Sequence, residues 1–215
     1  MKIYLIRHGK SSADDNLKRQ GPETPLSEEG IIQAEALGKR LQKINIDVFL
    51  SSNWARAKET AEIVAKHIPT PLEILETIHE KTMHPDVEYS EVESEMNKIY
   101  MEELHAHYED INWKFRGEGE SIVEVIQRAT QFRNYLLDRY KNKDILVITH
   151  GIFLFCFIMA CLLDKDYDET MLMKLLVSLT YDNASISMVE YKEEKGKWKL
   201  RYFNDTNHLK DMWVL

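Results

Sequence analysis

The stretch Lys2-Ile3-Tyr4-Leu5-Ile6-Arg7-His8-Gly9 decides the fold. Residues 3–6 are largely apolar and bounded by polar neighbours, the pattern of a short buried strand. The run then breaks into Arg7, His8 and Gly9. Ligands of open α/β sheets bind just beyond the carboxyl ends of strands, so this strand delivers an arginine and a histidine to that edge. Gly9 has no Cβ and permits a sharp turn or a close backbone approach. Alone, the tripeptide also fits a strand that merely ends in polar residues. Residues 144–149, Asp-Ile-Leu-Val-Ile-Thr, form the clearest strand pattern of the chain and stop at His150-Gly151. Two strands that each deliver a histidine and a glycine point to one functional edge.

Composition sets the bounds. The 215 residues suit one domain, 1–215, with a sizeable core. A net charge of −8 argues against nucleic-acid or general membrane-surface binding, although a local basic pocket can still hold an anion. The longest apolar run, 152–163, is short of the roughly 20 residues that span a bilayer and reads as a buried helix. Cys156 and Cys161 lie in it without metal-like spacing, as buried free thiols. With no signal-peptide pattern at the start, a cytoplasmic location is expected. The partner expected is a small-molecule substrate; a homodimer stays open.

Between the two histidine-bearing strands the chain alternates helix and strand signals. Residues 10–24 are polar and aperiodic, hence a loop, with Ser11, Ser12, Lys18, Arg19 and Gln20 able to donate to an anion. Ser27 followed by Glu28 and Glu29 starts a helix whose stripe is Ile31, Ala34, Leu37, Gly38 and Leu41, ending near Lys43. Residues 47–50 form a strand ending in Ser51-Ser52, and a helix follows with Arg56 in its first turn. A cation there opposes the helix dipole unless an anion binds beside it; otherwise the side chain points to solvent. Residues 72–78 read as a third strand. Residues 84–116 read as a helical lid, with Val92, Met96, Ile99, Tyr100 and Leu104 at helical spacing. His105 and His107, two apart, suit no zinc set and are expected at the surface. Ser121 and Glu124 match a capping box for a helix to about Tyr140. Helices at 152–163 and 169–176 and a hairpin of 185–191 with 198–203 complete the chain.

Seven pieces now stand in order: Arg7-His8-Gly9, Pro25-Leu26-Ser27-x-x-Gly30-x-x-Gln33-Ala34, Ser51-Ser52 leading to Arg56-Ala57-x-x-Thr60-Ala61, Gly119-Glu120-Ser121, Thr149-His150-Gly151, Asn183-Ala184-Ser185-Ile186 and Asn204-Asp205-x-x-His208-Leu209. Together they resemble the histidine phosphatase superfamily, the phosphoglycerate-mutase-like family. The resemblance implies a three-layer α/β/α sandwich with a mostly parallel sheet, one antiparallel strand and the lid at about 84–116. It implies phosphoryl transfer through a phosphohistidine, with His8 as nucleophile and no metal or other cofactor. Arg7, Arg56 and His150 would stabilise the transferring group, with Ser11, Gln20, Gly21 and Gly151 lining the phosphate site. The acid that protonates the leaving group would be Glu80, in the pattern Ile78-His79-Glu80, with Glu76 as the alternative.

The departures bear on the substrate. Asp14 stands where the family usually has an asparagine that donates to phosphate, and an ionised carboxylate cannot donate. Either Asp14 points away, Asn16 takes over, or the substrate carries a cation there. Lys18 replaces the usual arginine, and Lys81-Thr82-Met83-His84 replaces a Gly-Trp-Glu run. A phosphomonoester hydrolase of small phosphorylated metabolites is expected. The alternatives are a phosphoglycerate-type mutase, which usually carries a longer lid and tail, and a non-catalytic phosphate-binding protein.

Overall fold

Strand β1 (Lys2–Arg7) sits at the middle of the molecule because both of its faces are apolar: Ile3 and Leu5 point one way, Tyr4 and Ile6 the other, and all four are buried. The computed structural model describes residues 1–164 and 166–213. Strand β4 (Asp144–Thr149) pairs with β1 in parallel register, Ile3 beside Ile145 and Arg7 beside Thr149. Outward from β4 lie β2 (Val48–Ser52) and β3 (Leu72–Leu75), both parallel; on the other side of β1 lie β5 (Ile186–Lys192) and β6 (Lys197–Asp205). Only β5 runs against its neighbours on both sides, so the sheet is mostly parallel with one reversed strand.

The period of two sorts the apolar residues into two cores. Ile3, Leu5, Ile145 and Val147 pack under α5 (Ile122–Arg139) and α6 (Gly151–Leu162). Tyr4, Ile6, Leu146 and Ile148 pack under α2 (Glu28–Leu41) and α3 (Ala55–Val64). This is the expected three-layer arrangement. Ser27 caps α2, accepting the Gly30 N–H at 3.1 Å, and Ser121 with Glu124 forms the capping box of α5. Ser121→Ala is expected to cost about 1 kcal/mol, read as a fall of about 2–4 °C in Tm. An unchanged melt would show that the box contributes nothing.

Three local readings change. The strand expected over 72–78 stops at Leu75 and turns into a 3-10 segment, Glu76–Ile78. β3 is an edge strand whose register with β2 ends at Ser52, and Ile78, fully buried, pulls the chain inward instead. The loop 10–24 contains one short helix, α1 (Ser12–Asp15), too short to show periodicity. In the 84–116 segment the helix is α4 (Glu95–Ala106); Val92 lies ahead of it and is exposed. Val87, Tyr100 and Phe115 form a small core of their own there. The remaining helix, α7 (Glu169–Ser178), follows α6. Cys156 and Cys161 are buried and free, and no helix among the described residues is long and apolar enough to cross a membrane.

Candidate active site

The register of β1 with β4 brings His8 and His150 together. The next residues after the Arg7–Thr149 pair are the two histidines, and the His8 N–H bonds the Thr149 carbonyl at 2.9 Å. Their rings lie 5.1 Å apart, and both side chains are buried. His8 Nδ1 lies 2.7 Å from the Gly9 carbonyl, which can only accept, so Nδ1 carries the hydrogen. Nε2 accepts from Arg56 Nε at 3.0 Å, which fixes the same tautomer independently. Burial, then the Arg56 and Arg7 guanidiniums, hold the His8 pKa well below its usual 6.5. Burial and Arg56 do the same for His150. Both rings are therefore neutral at pH 7, and His8 presents a lone pair at Nε2.

The loop carrying His8 is fixed from behind. Gly9 sits so close to α2 that a Cβ on it would fall 2.6 Å from the Gly30 carbonyl oxygen, so both positions demand glycine. The Gly9 N–H bonds Thr60 Oγ1 at 3.1 Å, and the His8 carbonyl accepts from Ala184 N and Asn183 Nδ2. The close approach is thus to the protein's own backbone.

Arg56 does not point to solvent. It is 1% exposed, donates to the Gly21 carbonyl at 2.9 Å, and its guanidinium stacks 5.1 Å from the Trp54 ring centre. Burial pushes its pKa down to about 10, which leaves it charged at neutral pH. Trp54 also stacks on His79 and meets the His150 ring edge-on. Arg7 donates through Nη1 to the Tyr181 carbonyl, while its Nε is buried with no partner among the described residues. His150 Nδ1 is unpartnered in the same way. The Ser52 hydroxyl lies 2.9 Å from His150 Nε2; with Ser52 donating, Nδ1 carries the hydrogen. Buried polar atoms without partners are rare, and two converge on one histidine-lined site.

Glu80 reaches the site because Thr149 Oγ1 donates to the Ile78 carbonyl at 2.6 Å, pinning the chain just before it. Its carboxylate accepts from Lys81 N at 2.9 Å and from Ile152 N and Phe153 N at 3.1 Å, on the N-terminus of α6. A Cβ on Gly151 would stand 3.7 Å from Arg7 Nε and 3.8 Å from Glu80 Oε2, so Gly151 lies between the two. Glu76 is exposed on the 3-10 segment.

Donors expected of the 10–24 loop are engaged within the protein, Arg19 Nε with Asn97 Oδ1 of α4 at 2.7 Å. Ser11 donates to Asp14 Oδ2 through both N and Oγ, and Gln20 Nε2 donates to Asp14 Oδ1 at 2.9 Å. Asp14 therefore absorbs the donors of Ser11 and Gln20. The Gly21 N–H is taken by Thr24 Oγ1, and Asn16 bonds the Ser12 carbonyl. Asp14, Gln20, Arg56 and Glu80 nevertheless border one cleft of about 500 Å³. Sequence reasoning missed Trp54, for which only an aromatic residue ahead of a helix gave a signal. It also missed Tyr181, whose contribution is a backbone carbonyl and leaves no trace in residue type.

Comparison with known proteins agrees with this geometry. The family model described as histidine phosphatase superfamily (branch 1) matches residues 3–206. The chain is 27% identical to the Salmonella arizonae protein named "Probable phosphoglycerate mutase GpmB", over 97% of this chain and 95% of that one. It is 26% identical to the Bacillus subtilis "Uncharacterized phosphatase PhoE", over 96% of each. Among solved structures, Bacillus stearothermophilus YhfR superposes with a TM-score of 0.83 at 26% identity, covering 97% of this chain and 99% of that one. A match across nearly the whole chain, on a sheet that brings the two histidines and two arginines together, places this protein in the histidine phosphatase superfamily.

Proposed function

We propose that the protein is a metal-independent phosphomonoester hydrolase of small phosphorylated metabolites, acting through a phosphohistidine on His8. The observation that carries this reading is a neutral His8 whose Nε2 lone pair accepts from Arg56, in a site where two further buried donors, Arg7 Nε and His150 Nδ1, have no partner among the described residues. Phosphoryl transfer asks for positioning and for charge stabilisation on the equatorial oxygens, which Arg7, Arg56 and His150 supply. In the first step Nε2 bonds to phosphorus, the ester P–O bond breaks, and Glu80 gives its proton to the departing oxygen. In the second, Glu80 takes a proton from water, the water oxygen bonds to phosphorus, and the P–N electron pair returns to Nε2. Arg56 Nε, now on Nε2, turns to a phosphoryl oxygen once that nitrogen is bonded.

Because guanidinium and imidazole donors supply the positive charge, phosphate release from p-nitrophenyl phosphate is expected to continue unchanged in EDTA. Quenching the reaction in base should trap protein-bound phosphate on a peptide containing His8, lost on acidification. Turnover that dies in EDTA and returns with a divalent cation overturns the metal-free reading. Rapid turnover with no trapped phosphate overturns the phosphohistidine. The mutase reading draws on the name of the Salmonella relative; it would be favoured by isomerisation of 3-phosphoglycerate with a bisphosphate primer and no accumulation of phosphate.

A further inference from the structure

Two clefts meet above the phosphoryl site, and Glu80, Lys81, Tyr100, Leu104 and Ile152 line both. The leaving oxygen must lie at Glu80 to take its proton, so the rest of the leaving group departs from this junction. The first cleft is the polar one bordered by Asp14 and Gln20. The second, about 410 Å³, includes Arg7 and Gly151 at the phosphoryl site. Its walls are Leu104, Tyr108 and Trp113 on one side and Met173, Leu176 and Val177 of α7 on the other. Val177 is 66% exposed and Tyr108 is also exposed, although both line a cleft continuous with the active site. Apolar surface held open beside a reaction centre gains by covering with an apolar ligand.

Lys81 stands at the junction with its charge unclaimed. Its acidic neighbours are already engaged: Glu80 on the backbone N–H of Lys81 itself and on the Ile152 and Phe153 N–H groups of the α6 end, Glu120 on Arg128 and Thr82 N, Glu124 on Lys114 and Ser121 N. The Lys81 ammonium makes no ion pair or hydrogen bond among the described residues. Burial lowers its pKa despite the field of Glu120, Glu80 and Glu124. Lys81 is partly buried, so its ammonium has lost part of its water without gaining a protein partner, and an anion beside it offsets that loss. The other carboxylate in the second cleft, Asp110, lies on the 84–116 segment and is exposed.

We infer that the second cleft is a leaving-group subsite for an alcohol with an apolar or aromatic body and an anionic group within reach of Lys81. The inference rests on the reading that the phosphoryl group sits against Arg7, His8, Arg56 and His150. Its test uses phosphonates, which bind but cannot be hydrolysed. Calorimetric Kd values would be measured for methylphosphonate, benzylphosphonate and the three ring isomers of carboxybenzylphosphonate. Benzylphosphonate is expected to bind at least about fivefold tighter than methylphosphonate, and the best carboxylate isomer about tenfold tighter again. Val177→Asp, a change at an exposed wall residue, should erase the benzyl advantage. Lys81→Met should erase the carboxylate advantage. A benzyl group worth nothing in the wild type, or a carboxylate preference that survives Lys81→Met, overturns the subsite. Phosphate release from benzyl phosphate is a separate readout. If it fails while the phosphonate ranking holds, the hydrolase reading falls and the subsite stands.

Discussion

His8→Ala is expected to lower kcat on p-nitrophenyl phosphate by at least about 10,000-fold, the scale on which loss of an essential nucleophile is felt. The expectation follows from the two hydrogen bonds that fix the ring. With Nδ1–H on the Gly9 carbonyl and Nε2 facing Arg56, the ring presents its lone pair beside the guanidinium that would hold the phosphoryl group. His150 is neutral too, but it is positioned through Ser52. Binding should survive, because Arg7, Arg56 and His150 remain, so inorganic phosphate is expected to protect the variant from thermal unfolding about as well as the wild type. Turnover within tenfold of wild type would remove His8 from the chemistry. The pH profile adds a second check. His8 is held well below 6.5 by burial and by two guanidiniums, so protonation of the nucleophile costs activity only well below that pH. A kcat/KM that halves near 6.5 through His8 would contradict the observed surroundings.

The same two histidines show how much of the site the sequence made legible. A strand's end and the side chain that follows it are local features, and 3–9 with 144–151 displayed them plainly. That the two strands are neighbours is not local. Residues 10–143 separate them, and only the burial of β1 and β4 on both faces places them side by side. Arg56 was ambiguous for the same reason. A cation in the first turn of a helix is read by its tertiary surroundings, here Trp54 and the Gly21 carbonyl, neither of which the helix pattern announces. At Asp14 residue type shows that a carboxylate cannot donate to phosphate, but not what it accepts instead. In the structure it gathers Ser11 and Gln20 and orders the loop. The end of β3 at Leu75 was illegible because an edge strand's length depends on its single neighbour.

Glu80→Gln separates the two halves of the proposed reaction. An amide can neither give a proton to the leaving oxygen nor take one from water. For an alkyl phosphate, whose alkoxide needs that proton, kcat is expected to fall by about 100- to 10,000-fold. p-Nitrophenolate leaves well without help, so the first step should proceed almost normally on that substrate. The second step still lacks its base. A stopped-flow trace should therefore show a burst of about one equivalent of nitrophenolate, then slow turnover, with phosphate trapped on His8. The substitution also has a structural cost. Glu80 Oε1 accepts from Lys81 N and Phe153 N, and Oε2 from Ile152 N. A glutamine keeps its oxygen toward the first pair and turns an NH₂ against the Ile152 N–H, losing about 1–3 kcal/mol at a partly buried helix end. That loss lowers Tm equally with or without substrate, whereas the burst appears only if Glu80 serves the second step. Equal losses of burst and steady rate would place Glu80 in the first step alone, and an unchanged rate on both substrates would remove it from the reaction.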